Sequence, residues 1–187
     1  MLEIATGEPH CCALQRSGEN ILTRIQRLAL AALVLFFCTG FDQVTKDVVR
    51  ERLAASPPVS LLNDTIRIQY MENPGAILGL GSSLPSDVRF MLLVVFAGSL
   101  LIMILIYAVK THELSLMQFV SLSLFAAGGT GNFLDRLFNN GAAIDFMNIG
   151  IGSIRTGVFN VADVLIIAGA SLFILSSIRN EVKATAA

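Results

Sequence analysis

Apolar residues fall in four long runs separated by polar stretches, and the length of those runs predicts the main elements. Residues 28–48 follow Arg24 and Arg27 and carry Asp42, Lys46 and Asp47 near their far end. Residues 88–109 hold one charge, Arg89 at the edge; residues 114–134 hold none; residues 158–178 hold only Asp163. A hydrocarbon core of about 30 Å is crossed by about 20 residues of helix, so each run predicts a transmembrane helix. An even number of spans puts both termini on one side, with Lys110, His112 and Glu113 in a tight turn there. The two larger loops, 49–87 and 137–157, share the other side.

Within the first loop, Thr65-Ile66-Arg67-Ile68-Gln69-Tyr70 alternates apolar and polar residues as a half-buried strand does. Asn73-Pro74-Gly75 reads as a turn, and Ala76-Ile77-Leu78-Gly79-Leu80 as a returning strand of a small hairpin. Ile144 to Ile149 in the second loop reads as extended, flanked by Gly141, Gly150 and Gly152. Residues 1–20 are polar and aperiodic and are expected to form an extension outside the fold; residues 181–187 form a tail. The expected fold class is an all-α membrane protein, four transmembrane helices with a small extracytoplasmic β-element, in one domain over residues 21–180.

The first run has two competing readings. A basic flank before a short apolar stretch resembles a signal peptide, but no small-x-small cleavage site follows. Leu35-Phe36-Phe37-Cys38 resembles a lipoprotein acylation site only faintly, because Phe37 stands where a small residue belongs. A membrane span is the better reading.

Composition supports lipid as the solvent: 54% of the chain is hydrophobic and 14% charged, with a mean hydropathy of +0.70. A net charge of −1 lacks the basic footprint of a nucleic-acid partner. Cys11, Cys12 and Cys38 are odd in number with two adjacent, a poor disulfide framework, and with His10 and His112 they make no metal-ligand spacing. No metal or cofactor is expected. Basic residues divide almost evenly between the two sides, so the positive-inside rule leaves orientation open.

Ionisable groups inside spans are costly, about 2.5–3.5 kcal/mol each at mid-bilayer, and they mark function by default. Here they gather at one side with polar amides among them: Asp42, Lys46 and Asp47 end the first helix, Asn132, Asp135 and Arg136 end the third, and Asn160 and Asp163 begin the fourth. Each also has a structural reading. Asp42 and Lys46 are spaced for an i,i+4 ion pair. Arg136 suits the C-terminal dipole of a helix, or a peptide carbonyl of a substrate. Asn160 to Asp163 has the form of a capping box. Asp145 sits among Ala143, Ile144 and Phe146 with no basic neighbour, surroundings that raise a carboxyl pKa. Gly128-Gly129-Thr130-Gly131 lacks the lysine of a phosphate loop and lies in an apolar helix, where small residues permit close helix approach. Two carboxylates in a shielded, partly wet site suit aspartyl protease chemistry, in which a pair shares one proton. The same residues could relay ions in a small transporter, although no repeated half is visible.

Four blocks resemble the lipoprotein signal peptidase (signal peptidase II) family of intramembrane aspartyl proteases: Asp42-Gln43-Val44-Thr45-Lys46, Asn73-Pro74-Gly75-Ala76, Gly128 through Arg136, and Ile144-Asp145-Phe146 with Phe159-Asn160-Val161-Ala162-Asp163. The resemblance covers about residues 28–178. It implies that Asp145 and Asp163 are the catalytic dyad, that Asn73, Asn132, Arg136 and Asn160 line or order the substrate groove, and that Asp42, Lys46, Gly75 and Asp135 support it. It further implies cleavage of diacylglyceryl-modified prolipoproteins on the amino side of the lipid-bearing cysteine. The partners so implied are that lipid-modified substrate and membrane lipid, and a monomer is expected. Location in the bacterial cytoplasmic (inner) membrane with both termini cytoplasmic also follows from the resemblance. Leu78 stands where the family usually has Phe, and Gly157 near a position often held by Pro; the Arg136 to Asp145 loop is slightly long.

Overall fold

The computed structural model describes residues 22–76 and 80–185; the expected N-terminal extension and Leu78 lie outside those residues. Helix α1 spans Arg24–Leu53, α2 Ser86–Lys110, α3 Leu116–Phe138 and α4 Val161–Thr185. Strands β1 (Val59–Leu61), β2 (Ile66–Asn73), β3 (Ala143–Ile151) and β4 (Ile154–Arg155) form one antiparallel sheet in chain order. All four predicted helices form, and each differs from its apolar run at the ends. Helix α1 begins at Arg24 because Thr23 and Gln26 make a reciprocal capping box, which stabilises the start by about 1 kcal/mol. Helix α3 starts the same way on Ser115 and Gln118. It also runs past Leu134, so Asp135 and Arg136 lie inside its last turns rather than after it. Helix α4 continues to Thr185 and absorbs most of the expected tail. Residues Met91–Phe96 of α2 wind as a π-helix.

Three helices, α1, α2 and α4, are long and apolar enough to cross a membrane. Helix α3 is not among them, because Gln118, Ser121, Ser123, Thr130, Asn132 and a run of glycines dilute its apolar residues. Its position explains that composition: it packs against α1, α2 and α4, and Phe119, Ala126, Ala127, Gly128, Gly131 and Asn132 are all buried. The outer surface is apolar instead, with Phe36 at 74% exposure and Phe37 and Phe41 beside it. Apolar groups outside and small or polar ones inside suit a bundle whose solvent is lipid, where helix association rests on close packing and hydrogen bonds.

The glycines of α3 set its distance from its neighbours. A Cβ on Gly128 would run into the Ala162 carbonyl oxygen and Ile166 of α4, and one on Gly131 into the Asp42 carboxylate of α1. Overpacking of this kind costs about 1–3 kcal/mol. Gly128→Ala is therefore expected to lower the apparent Tm by about 5 °C, whereas Gly40→Ala, whose Cβ meets nothing within 4 Å, leaves it unchanged. A Gly128→Ala protein melting like wild type would rule out that close approach.

The sheet corrects the hairpin expected within the first loop. Ala76 does not begin a strand; its N–H donates to the Leu80 carbonyl at 2.7 Å, and Ile77 to Gly79 lie outside the described residues. The partners of β2 are β1 before it and β3 from the second loop, with Met71 opposite Asp145 and Asn73 opposite Ala143. Both outer loops thus build one sheet. At its far end Asp64 accepts from Arg67 and Ser60, which hold its carboxyl well below the usual range, and its carbonyl accepts from Arg155 at 2.7 Å. At the opposite end of the bundle, buried Arg27 donates to the Thr111, His112 and Leu114 carbonyls and lies over the Phe119 ring, tying α1 to the α2–α3 turn.

Candidate active site

Helix α3 ends in a left-handed turn at Asn140 and Gly141, where the Gly141 N–H caps the Arg136 carbonyl at 2.9 Å. That reversal feeds β3, which carries Asp145 back across the end of the bundle. Asp145 is 2% exposed. Its Oδ2 accepts from Asn73 Nδ2 at 2.9 Å and its Oδ1 from Asn160 Nδ2 at 2.6 Å. Burial, with the charge of Asp163 nearby, outweighs those two donors and Lys46, and pushes the Asp145 carboxyl up to about 6.

Asp163 arrives from the first turn of α4. The reciprocal cap read from the sequence is present: Asp163 N–H donates to Asn160 Oδ1 at 2.9 Å, and Asn160 N–H donates to Asp163 Oδ2 at 3.1 Å. The cap does not exhaust this carboxylate, since its Oδ1 accepts from Asn132 Nδ2 at 2.8 Å. Asn160, fully buried, therefore touches both aspartates, and its Nδ2 also reaches Asn132 Oδ1 and the Ile144 carbonyl. Capping and site building are the same set of bonds.

Asp145 and Asp163 open together onto a cavity of about 460 Å³, along with Asn73, Asn132 and Arg136. The rest of its wall is apolar, with Leu93 and Leu101 from α2, Phe125 and Phe133 from α3 and Ile166 from α4. Gly129 belongs to this wall, and a Cβ there would displace Leu101. Arg136 is anchored by bonds to the Asn132 carbonyl at 3.0 Å and the Gly75 carbonyl at 2.7 Å. Gly75 is in turn held by the Asn73 side chain, whose Oδ1 accepts its N–H at 2.9 Å. The Arg136 Nε is buried without an acceptor among the described residues.

A second layer stands behind the cavity. Lys46 bridges Asp42 at 2.6 Å and Asp135 at 2.8 Å, so the i,i+4 pair read from the sequence exists within a three-residue cluster. Gln43, which no sequence argument singled out, donates to Asp135 Oδ1 at 2.9 Å and the Gly131 carbonyl at 3.1 Å. Its place one residue after Asp42 in a polar block was the available signal. All ten residues expected at the site thus meet: five face the cavity, and Asp42, Lys46, Gly75, Asp135 and Asn160 hold them from behind. Among the described residues no group of His, Cys, Asp and Glu is arranged to bind a metal. Two carboxyl groups linked through one residue, Asn160, and facing one largely apolar cavity can divide the roles of acid and base between them.

A family model described as signal peptidase (SPase) II matches residues 34–179. The lipoprotein signal peptidase of Syntrophus aciditrophicus is 31% identical over 157 residues, 80% of this chain and 95% of that protein. That of Leifsonia xyli subsp. xyli is 30% identical over 172 residues, 89% of this chain and 75% of the relative. Among solved structures, a bacterial membrane enzyme determined by the in meso method at 2.3 Å resolution superposes with a TM-score of 0.70 at 27% identity, covering 82% of this chain and 90% of that one. A polar network assembled from four separate sequence blocks, within a fold and a sequence matched along most of their length, thus leads to one conclusion: the chain belongs to the signal peptidase (SPase) II family of proteases.

Proposed function

We propose that this protein is an aspartic endopeptidase that removes signal peptides from diacylglyceryl-modified prolipoproteins, cutting on the amino side of the lipid-bearing cysteine. The observation that carries the reading is Asn160: one buried residue that donates to Asp145 through its side-chain Nδ2 and to Asp163 through its backbone N–H, behind an apolar cavity onto which both carboxyls open. With a single proton on the pair, one carboxylate takes a proton from water while the other gives one to the scissile carbonyl oxygen. Burial raises the Asp145 carboxyl to about 6, which favours its protonated form below that pH. Arg136 stands where it can hold a peptide carbonyl, and the apolar wall matches acyl chains.

In this reading α3 is a fourth transmembrane helix, shielded from lipid by its three neighbours. The sheet and the cavity face outward from the bacterial inner membrane, the termini are cytoplasmic, and a monomer suffices because one chain supplies every group. No cofactor takes part.

Purified protein is expected to cleave a diacylglyceryl-cysteine peptide spanning the junction, without added metal or ATP. The kcat/KM profile should be bell-shaped. Asp145 keeps its proton below about 6 and loses it above, so the alkaline limb reports loss of the single shared proton and the acid limb the gain of a second. A flat profile from about pH 4 to about pH 9 would exclude the shared-proton mechanism. Ion flux in vesicles without peptide cleavage would replace the protease reading with transport.

A further inference from the structure

Lys46 is fully buried, and it does not line the cavity. Its ammonium bridges Asp42 Oδ2 and Asp135 Oδ2 and donates to Asn132 Oδ1 at 3.2 Å. The two carboxylates also bind the backbone. Asp42 Oδ1 accepts the Ala162 N–H at 2.8 Å, and Asp135 Oδ2 accepts the Ile144 N–H at 3.0 Å. Ala162 immediately precedes Asp163, and Ile144 immediately precedes Asp145.

We propose that Lys46 is a positioning residue that sets the spacing of the two aspartates, by tying together the carboxylates that grip the backbone one residue before each of them. Asp163 stands on α4 and Asp145 on β3, elements that reach the site from different directions. The Lys46 cluster joins both to α1 and α3 through charge-assisted bonds, which are shorter and more directional than neutral ones. A buried ion cluster is a poor device for stability alone, since its desolvation offsets much of the attraction. What it supplies is a single geometry: shortening or removing one arm frees one backbone segment relative to the other. Misplacing reacting groups by about 1 Å can lower a rate about 100-fold.

This inference rests on the dyad reading above, and the two fail separately. Lys46 pairs with Asp42 on its own helix and Asp135 on α3, and its charge acts on Asp145 on β3; Asp163 on α4 also acts on Asp145, and Arg136 on α3 lies in the field of Asp145, Asp163 and Asp135. In Lys46→Met, kcat on the diacylglyceryl-cysteine peptide should fall about 100-fold with KM within about threefold. Loss of a nearby positive charge should also move the bell to higher pH. Asp42→Asn keeps an oxygen for the Ala162 N–H but removes a negative charge, so it should lose about tenfold in kcat and move the bell to lower pH. Wild type and Asp163→Asn are assayed alongside, with folding checked by circular dichroism and melting.

Opposite shifts of the two bells with preserved KM support the positioning role. A folded Lys46→Met protein with wild-type kcat, or with reduced kcat and an unmoved bell, overturns it. Should Lys46→Met not fold, Asp42→Asn decides by the same criterion. An active Asp163→Asn protein would instead overturn the dyad reading.

Discussion

Asp163→Asn is expected to fold like wild type and to cleave the lipidated peptide about 10⁴-fold more slowly, the scale set by losing a group on which proton transfer depends. The substitution is nearly isosteric, and an Asn oxygen can still accept the Asn160 N–H, so the cap at the head of α4 survives. What it cannot do is exchange a proton with Asp145. Asp145→Asn should lose a similar factor, because each carboxyl needs the other in the complementary state. The double variant should be no slower than either single, since groups acting as a unit are non-additive. Turnover numbers for the three variants, measured with their melting temperatures, test this. A folded single variant keeping a tenth of the wild-type rate, or a double variant slower than both singles by their combined factor, would show that the two groups act independently.

The second large effect belongs to Asn160, which is not among the residues lining the cavity, yet bonds Asp145, Asn132, Ile144 and Asp163. In Asn160→Ala, α4 loses its cap, which costs about 1 kcal/mol, and buried acceptors on Asn132 and Asp145 lose a donor at about 1–3 kcal/mol each. A total near 3 kcal/mol is expected after partial relaxation, with kcat down about 100-fold because the Asp145 carboxyl loses its Asn160 Nδ2 donor, whereas the Asn160 backbone N–H to Asp163 Oδ2 remains. The pH profile gives a sharper test. Donation from Asn160 favours the ionised form of Asp145, so its removal raises that carboxyl further above about 6 and carries the alkaline limb to higher pH. Folded Asn160→Ala protein with wild-type kcat and an unmoved limb would reduce Asn160 to a helix cap.

Asp145 and Asp163 face a cavity with a mostly apolar wall, where unpaired charge is costly, and the surrounding polar side chains offset that cost by leaving few bonds unmade. Asn73, Asn132 and Asn160 each use their amide as donor and acceptor at once. Amides suit this task because they link carboxylates without adding charge. Lysine and arginine are held to one position each, Lys46 behind the aspartates and Arg136 at the cavity.

Much of this was legible in sequence, for reasons that differ by element. Helices α1, α2 and α4 were predictable because a membrane requires long unbroken apolar runs, and length is visible without a partner. Helix α3 was predicted as an uncharged run, but its composition serves burial among three helices. Strand β2 showed its alternation, and β3 its flanking glycines. The hairpin expected after Asn73 failed because a strand's partner is chosen by the fold, and β3 offered β2 a paired edge from a loop some 70 residues on. Asp145 and Asp163 stood out as carboxyls in apolar company.

Sequence by itself therefore determined the apolar spans, the clustering of polar residues at one side and the two acidic side chains, since each follows from the solvent or from neighbours in the chain. Tertiary structure alone decided that Asn160 braces both aspartates, that Gln43 joins the second layer, and that Lys46 ties the backbones beside the pair. Those contacts join residues up to 120 positions apart, and hydrogen bonds depend on distances of a few tenths of an ångström that no linear pattern records.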